Sequence, residues 1–171
     1  MEYIKKNAGF LLFSFYLTSV LFWFFEIVYS LIFRHLLVNP GTLYGPYCPI
    51  YGLAFVIIVM SCKKEDKLIF KIIKIAITST VIEYVISFIC EKIYHTRIWD
   101  YSDKFLNING RVCLEMTVLF IIAGLLILYF FVPPVKKLYD KMGPSVKYIN
   151  IVLGVIFLAD LIITLITKAS L

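Results

Sequence analysis

Long apolar runs broken by short polar connectors dominate this chain. Ala8–Phe33 holds 26 residues with one charge, Glu26, and Val112–Val132 holds 21 with only Glu115. Val146–Ile166 holds 21 more, with Lys147 at its edge and Asp160 inside. Leu68–Tyr94 is also long, with Lys71 and Lys74 near its start and Glu83 inside. Tyr47–Cys62 is the shortest, at 16 residues. A bilayer span needs roughly 20 mostly apolar residues. Four runs therefore reach across unaided, and the fifth crosses only if it tilts or the bilayer thins. The pattern predicts an all-α polytopic membrane helix bundle of about five transmembrane helices, near 8–33, 47–62, 68–94, 112–132 and 146–166. No linker is long enough to separate two domains, so residues 1–171 are expected to form a single integral membrane domain.

Composition agrees with the pattern. The chain is 61% hydrophobic and 16% charged, with a mean hydropathy of +0.91, whereas soluble domains are about 45–50% apolar and about 25% charged. Lys5 and Lys6 precede the first run as in a secretion signal. That run is about twice the usual length and lacks a small-residue cleavage site, so a retained first helix is expected. With five helices, one side of the membrane holds eleven of the Lys and Arg residues and the other six, namely Arg34, Lys92, Arg97, Lys104, Arg111 and Lys168. The richer side is expected to be cytoplasmic. This gives an N-in, C-out multi-pass protein of the cell membrane, expected to be a bacterial plasma membrane. The net charge of +6 is then a topology signal and not a nucleic-acid footprint, because no basic patch on a folded face is visible. Pro133-Pro134 is expected to end the fourth helix. The basic connector 133–145 is expected to lie on the lipid surface.

Acids inside apolar runs need a reason to be there, since each costs roughly 2.5–3.5 kcal/mol at a span centre. Helical spacing groups Ser19, Trp23, Glu26 and Ser30 on one face. It groups Thr80, Glu83, Ser87, Cys90 and Glu91 on another, and Asn150, Gly154, Phe157, Asp160 and Thr164 on a third. Arg34, Arg97 and Arg111 are the available cations. Either the acids pair with these arginines or with tyrosine hydroxyls and hold the bundle together, or they line a functional polar cavity. The clustering of several acids favours the cavity, and Asp160 is the member best explained as an interhelical hydrogen-bond partner. His95, four residues after Glu91, is within hydrogen-bond reach of it on a helix.

Two stretches differ from everything around them: Asn39–Gly52, NPGTLYGPYCPIYG, and Arg97–Arg111, RIWDYSDKFLNINGR. The first has three prolines and three glycines, which give a shaped, irregular backbone. It reads as a tight turn in an aromatic belt or as a re-entrant wall. The second is bracketed by Arg97 and Arg111, able to clamp an anion in bidentate fashion or to pair with Asp100 or Glu91. Both stretches fall on the outer side of the expected topology, as walls of one site. Three of the four cysteines, Cys48, Cys90 and Cys113, lie on that side and permit one disulfide, although buried thiols are the expected state. No Cys/His spacing suggests a metal, and nucleotide, hydrolase and metalloprotease motifs are absent, so no cofactor is expected.

The paired motifs LYGPYCPIYG and E…RIWDYS…NINGRVC resemble those of the ABC-transporter type IV, or CmpB-like, permease family of small multi-span membrane proteins. The similarity runs from about Glu26 through the fourth helix. Motif positions fall on Glu26, Tyr44, Gly45, Pro46, Pro49, Tyr51, Gly52, Glu83, Glu91, Arg97, Trp99, Asp100, Tyr101, Ser102, Asn107, Asn109, Gly110 and Arg111. The resemblance implies a transport component, and it carries the expected solute-binding set: Glu26, Tyr44, Tyr51, Glu83, Glu91, Arg97, Trp99, Asp100, Tyr101, Asn107, Asn109 and Arg111. The expected function is a permease-like subunit that binds a small polar or anionic solute in an outward-facing polar pocket. Its expected partners are membrane lipids and an ABC-type ATPase subunit. The alternative is an intramembrane enzyme acting on lipid head groups or envelope precursors, with Glu26 or Glu83 as general base. A non-catalytic role is the favoured expectation.

Overall fold

The computed structural model describes residues 2–37, 39–41 and 43–168. The side chains of residues 2–6, Arg34, Tyr94 and Lys168 lie outside the described set, and with them Arg34's expected pairing with an acid. Every regular element among the described residues is a helix: α1 Glu2–Arg34, α2 Pro49–Ser61, α3 Leu68–Tyr94, α4 Leu114–Leu126, a π-helical segment Ile127–Phe131, α5 Val132–Met142 and α6 Ser145–Lys168. Four stretches are long and apolar enough to cross a membrane: Asn7–Phe33, Leu68–Ile93, Leu114–Met142 and Ser145–Thr167. The chain falls into two compact units, Met1–Val56 with Pro134–Ser170, and Ile57–Pro133.

In the first unit α1 packs on α6, and in the second α3 packs on α4. The polarity is inside-out, as a bilayer solvent requires. Phe24, Phe130 and Ile166 are more than 60% exposed, whereas Ser14, Thr18, Ser19, Ser79, Ser87 and Thr164 are buried. All of these hydroxyls except that of Ser87 bond to a neighbour on their own helix. Ser14 donates to the Phe10 carbonyl at 2.7 Å, Ser19 to Phe15 at 2.7 Å and Ser79 to Ile75 at 2.8 Å. Such back-bonding lets a hydroxyl face a helix neighbour without stranding a donor. Small residues then allow close approach. A Cβ at Gly52 would collide with Ser19 and the Phe15 carbonyl, and one at Gly124 would meet Ile75. Phe15, Tyr16, Tyr47 and Phe157 form a cluster of edge-on and tilted rings at the α1–α6 contact.

The expected end of the fourth helix at Pro133-Pro134 is corrected. The helix runs on through both prolines to Met142. The physical reason is the π segment just before them. The Val132 N–H reaches back five residues to the Ile127 carbonyl, so the ladder has already widened where each proline ring would strike a carbonyl four residues back. The helix expected at 47–62 is also shorter, at Pro49–Ser61. Thirteen residues span about 20 Å, against a hydrocarbon core of ~30 Å.

Candidate functional site

Loop 1, the stretch from Asn39 into the start of α2, turns back along α1. The Trp23 indole donates to the Asn39 side chain at 2.8 Å, and the Gly41 N–H to the same oxygen at 2.9 Å. The Cys48 N–H then donates to the Ser19 carbonyl at 3.0 Å. Ser19 lies about 22 Å back along α1 from its end at Arg34. The loop therefore doubles back along α1 before α2 begins.

Irregular backbone at that depth needs partners from protein, and Asp160 of α6 supplies them. It accepts the Gly45 N–H at 2.7 Å, the Tyr44 N–H at 3.2 Å, the Thr164 hydroxyl at 3.1 Å and the Tyr47 hydroxyl. The Tyr44 hydroxyl meets Thr167 at 3.0 Å. Glu26 accepts the hydroxyl of Tyr51, whose ring stacks on Phe22 with centroids 5.2 Å apart. Of the expected set, Glu26 and Tyr51 thus meet directly, and Tyr44 is joined to Asp160, a residue outside that set.

Loop 2 is built by its own polar side chains. Asp100 accepts both the N–H and the hydroxyl of Ser102, at 2.9 and 2.5 Å. Asn107 donates to the carbonyls of Ser102 and Lys104 and accepts the Gly110 N–H. The Tyr101 N–H donates to the Gly110 carbonyl at 2.7 Å, and the Trp99 indole to the Arg111 carbonyl at 3.0 Å. Asn109 adopts a left-handed backbone and donates to the Tyr84 hydroxyl. Gly110 follows with φ +67, where a Cβ would run into Asp100, Ser102 and Arg97. Only glycine fits that position.

Below the loop, Glu91 sits between two arginines. Arg111 pairs with one of its oxygens, and the Arg97 Nε lies 3.3 Å from the other. Arg97 also reaches Asp100 at 3.1 Å. Arg111 is 9% exposed and lies over the Tyr84 and Phe88 rings, and its Nε is buried without a partner. His95, within helical reach of Glu91 by spacing, closes α3 in a left-handed conformation. Ser102, and then the Arg97 charge, hold the Asp100 carboxyl below the usual carboxylate range. Glu83, about 12 Å down α3 from Glu91, lies close enough for its charge to act on Tyr101 of the loop. Burial first, and then the Glu83 charge, push the Tyr101 phenol above its ordinary value.

Two of the acids inside the spans are thus each met by a tyrosine hydroxyl: Glu26 by Tyr51 and Asp160 by Tyr47. Two atoms of the α3 face are treated differently. Glu83 Oε2 and Ser87 Oγ, one helical turn apart, are buried without hydrogen-bond partners. Beside loop 1 lies an apolar cavity of about 30 Å³, lined by Tyr16, Tyr47, Leu153 and Phe157 among others. That is room for about one water. The four cysteines are free thiols, three of them buried. The residues that sequence reasoning left out of the set are Asp160 and Tyr47. Asp160 was visible as an acid in an apolar run, but its loop partners lie more than 110 residues away.

No curated protein and no solved structure matches the chain. The family described as Putative ABC-transporter type IV matches residues 13–165, and the chain belongs to that family.

Proposed function

We propose that the chain is the membrane-embedded, non-catalytic subunit of an ABC-type transporter, and that it takes up a small polar solute against the acidic face of α3. Glu83 carries this reading. It is 5% exposed with Oε2 unpaired, and Ser87 beside it is 2% exposed with Oγ unpaired. Glu26, Glu91, Asp100 and Asp160 are all engaged by donors of the chain itself. A buried polar atom without a partner costs about 1–3 kcal/mol, and a donor on a solute removes that cost. The charge balance selects among solutes. Arg97 and Arg111 already share Glu91, so a hydrogen-bond donor or a cation suits α3 better than an anion does. The sequence carries no nucleotide-binding motif, and an ATP-hydrolysing partner supplies the driving force.

The test is mass spectrometry of small molecules that co-purify with the chain from native membranes, combined with cross-linking to partners. The expected result is a polar solute retained by the wild type and lost from Glu83→Gln, with an ATPase subunit cross-linked to both. Turnover of a lipid or envelope precursor by the purified chain alone, abolished by the same substitution, would overturn the proposal and make Glu83 a general base.

A further inference from the structure

A groove of about 420 Å³ lies at the other end of α1, lined by Gly9, Leu12, Tyr139, Lys147, Asn150 and Ile151. Its volume is that of a small-molecule site, about 300–1,000 Å³. One wall is aliphatic: Leu12 is 42% and Ile151 54% exposed. The other is polar. Asn150 is 6% exposed and donates through Nδ2 to the Gly9 carbonyl at 2.9 Å. That bond fixes the amide orientation and leaves Oδ1 as an acceptor, buried and without a partner.

Lys147 at the rim makes no ion pair among the described residues. Lys136, by contrast, is tied to Asp140 at 2.7 Å and lies over the ring of Tyr139, which lines the groove. Gly9 keeps that ring seated, since a Cβ there would come 2.7 Å from the Tyr139 hydroxyl. The groove therefore offers an uncommitted cation, a buried acceptor and an apolar wall in one place.

We propose that this groove binds one anionic phospholipid whose headgroup carries a free hydroxyl. The phosphate sits against Lys147, the hydroxyl donates to Asn150 Oδ1 and an acyl chain runs along Leu12 and Ile151. The apolar wall selects a lipid over a soluble phosphate ester, and the lysine selects an anionic lipid over a zwitterionic one. Asn150 selects a headgroup that can donate.

The test uses the full chain in neutral detergent, stripped of lipid and titrated with defined lipids under native mass spectrometry. Phosphatidylglycerol is expected to be retained one to one, ahead of phosphatidylcholine, phosphatidylmethanol (the same charge without the hydroxyl) and glycerol 1-phosphate. Lys147→Ala is expected to weaken retention about fivefold, from ~1 kcal/mol per lysine, and Lys147→Arg to restore it. Lys147 is exposed, so neither substitution threatens folding. Equal retention of phosphatidylcholine, or no effect of Lys147→Ala, would overturn the proposal. Equal binding of phosphatidylmethanol would overturn the part given to Asn150, and equal binding of glycerol 1-phosphate would overturn the lipid.

Discussion

At the residue scale, Asp160 shows how a costly acid becomes an asset. Its two oxygens take two backbone N–H groups and two hydroxyls, so one carboxylate satisfies a loop that no helix ladder could. Removing it strands two N–H groups. Asp160→Ala is expected to cost about 3 kcal/mol, from bonds to a charged group worth about 1.5–3 kcal/mol each. Thr164→Val, which removes one of the four donors, should cost about 1 kcal/mol. Denaturant titration of the purified protein in micelles compares the two, and equal losses would refute the shared-acceptor account. Loop 2 responds to acid instead. Ser102 and Arg97 lower the Asp100 pKa, so its contribution is present above the unfolded value of about 3.9 and is lost as pH falls through the lower folded value. The thermal midpoint between pH 3 and 6 should fall more steeply for wild type than for Asp100→Asn.

At the scale of elements, helical runs were legible in the sequence because a bilayer asks for apolar length. The ends of those runs were less so. Pro133-Pro134 is a stop signal by local rules, and the π turn that carries the helix past it leaves no mark on the hydrophobic pattern. Loop 1 read correctly as shaped backbone from its prolines and glycines, but its depth depends on the Cys48–Ser19 contact, which spacing alone does not reveal. Loop 2 was visible as a cluster of motif residues. Their hydrogen bonds show that Asp100, Ser102, Asn107 and Gly110 build the loop itself. Helix contacts follow simpler rules. Gly124 of α4 lies where a Cβ would come 2.6 Å from Ile75 of α3. Gly124→Val should therefore overpack that contact and cost about 1–3 kcal/mol. The same unfolding titration reads it, and Gly124→Val paired with Ile75→Ala should recover part of the loss. No recovery in the double variant would show that the glycine is needed for something other than this contact.

At the scale of the whole molecule, the lysine distribution predicts a topology that can be tested independently of any solute. With five crossings, eleven basic residues are expected on the side of the N-terminus, the 62–67 connector and residues 133–147, against six on the other side. The positive-inside rule places the richer side in the cytoplasm. Asp103, at the exposed turn of loop 2, is then expected to face outward, and Lys141, exposed near the end of α5, to face inward. The four native thiols are free, so single cysteines are introduced into a cysteine-free background. Asp103→Cys is expected to react with a membrane-impermeant maleimide on intact cells, and Lys141→Cys only after permeabilisation. The reverse labelling would place loop 2 on the cytoplasmic side. Glu83, about 12 Å along α3 from Glu91, would then sit in the inner half of the span. A solute captured there would approach from the cytoplasm, and the transporter reading would become one of export.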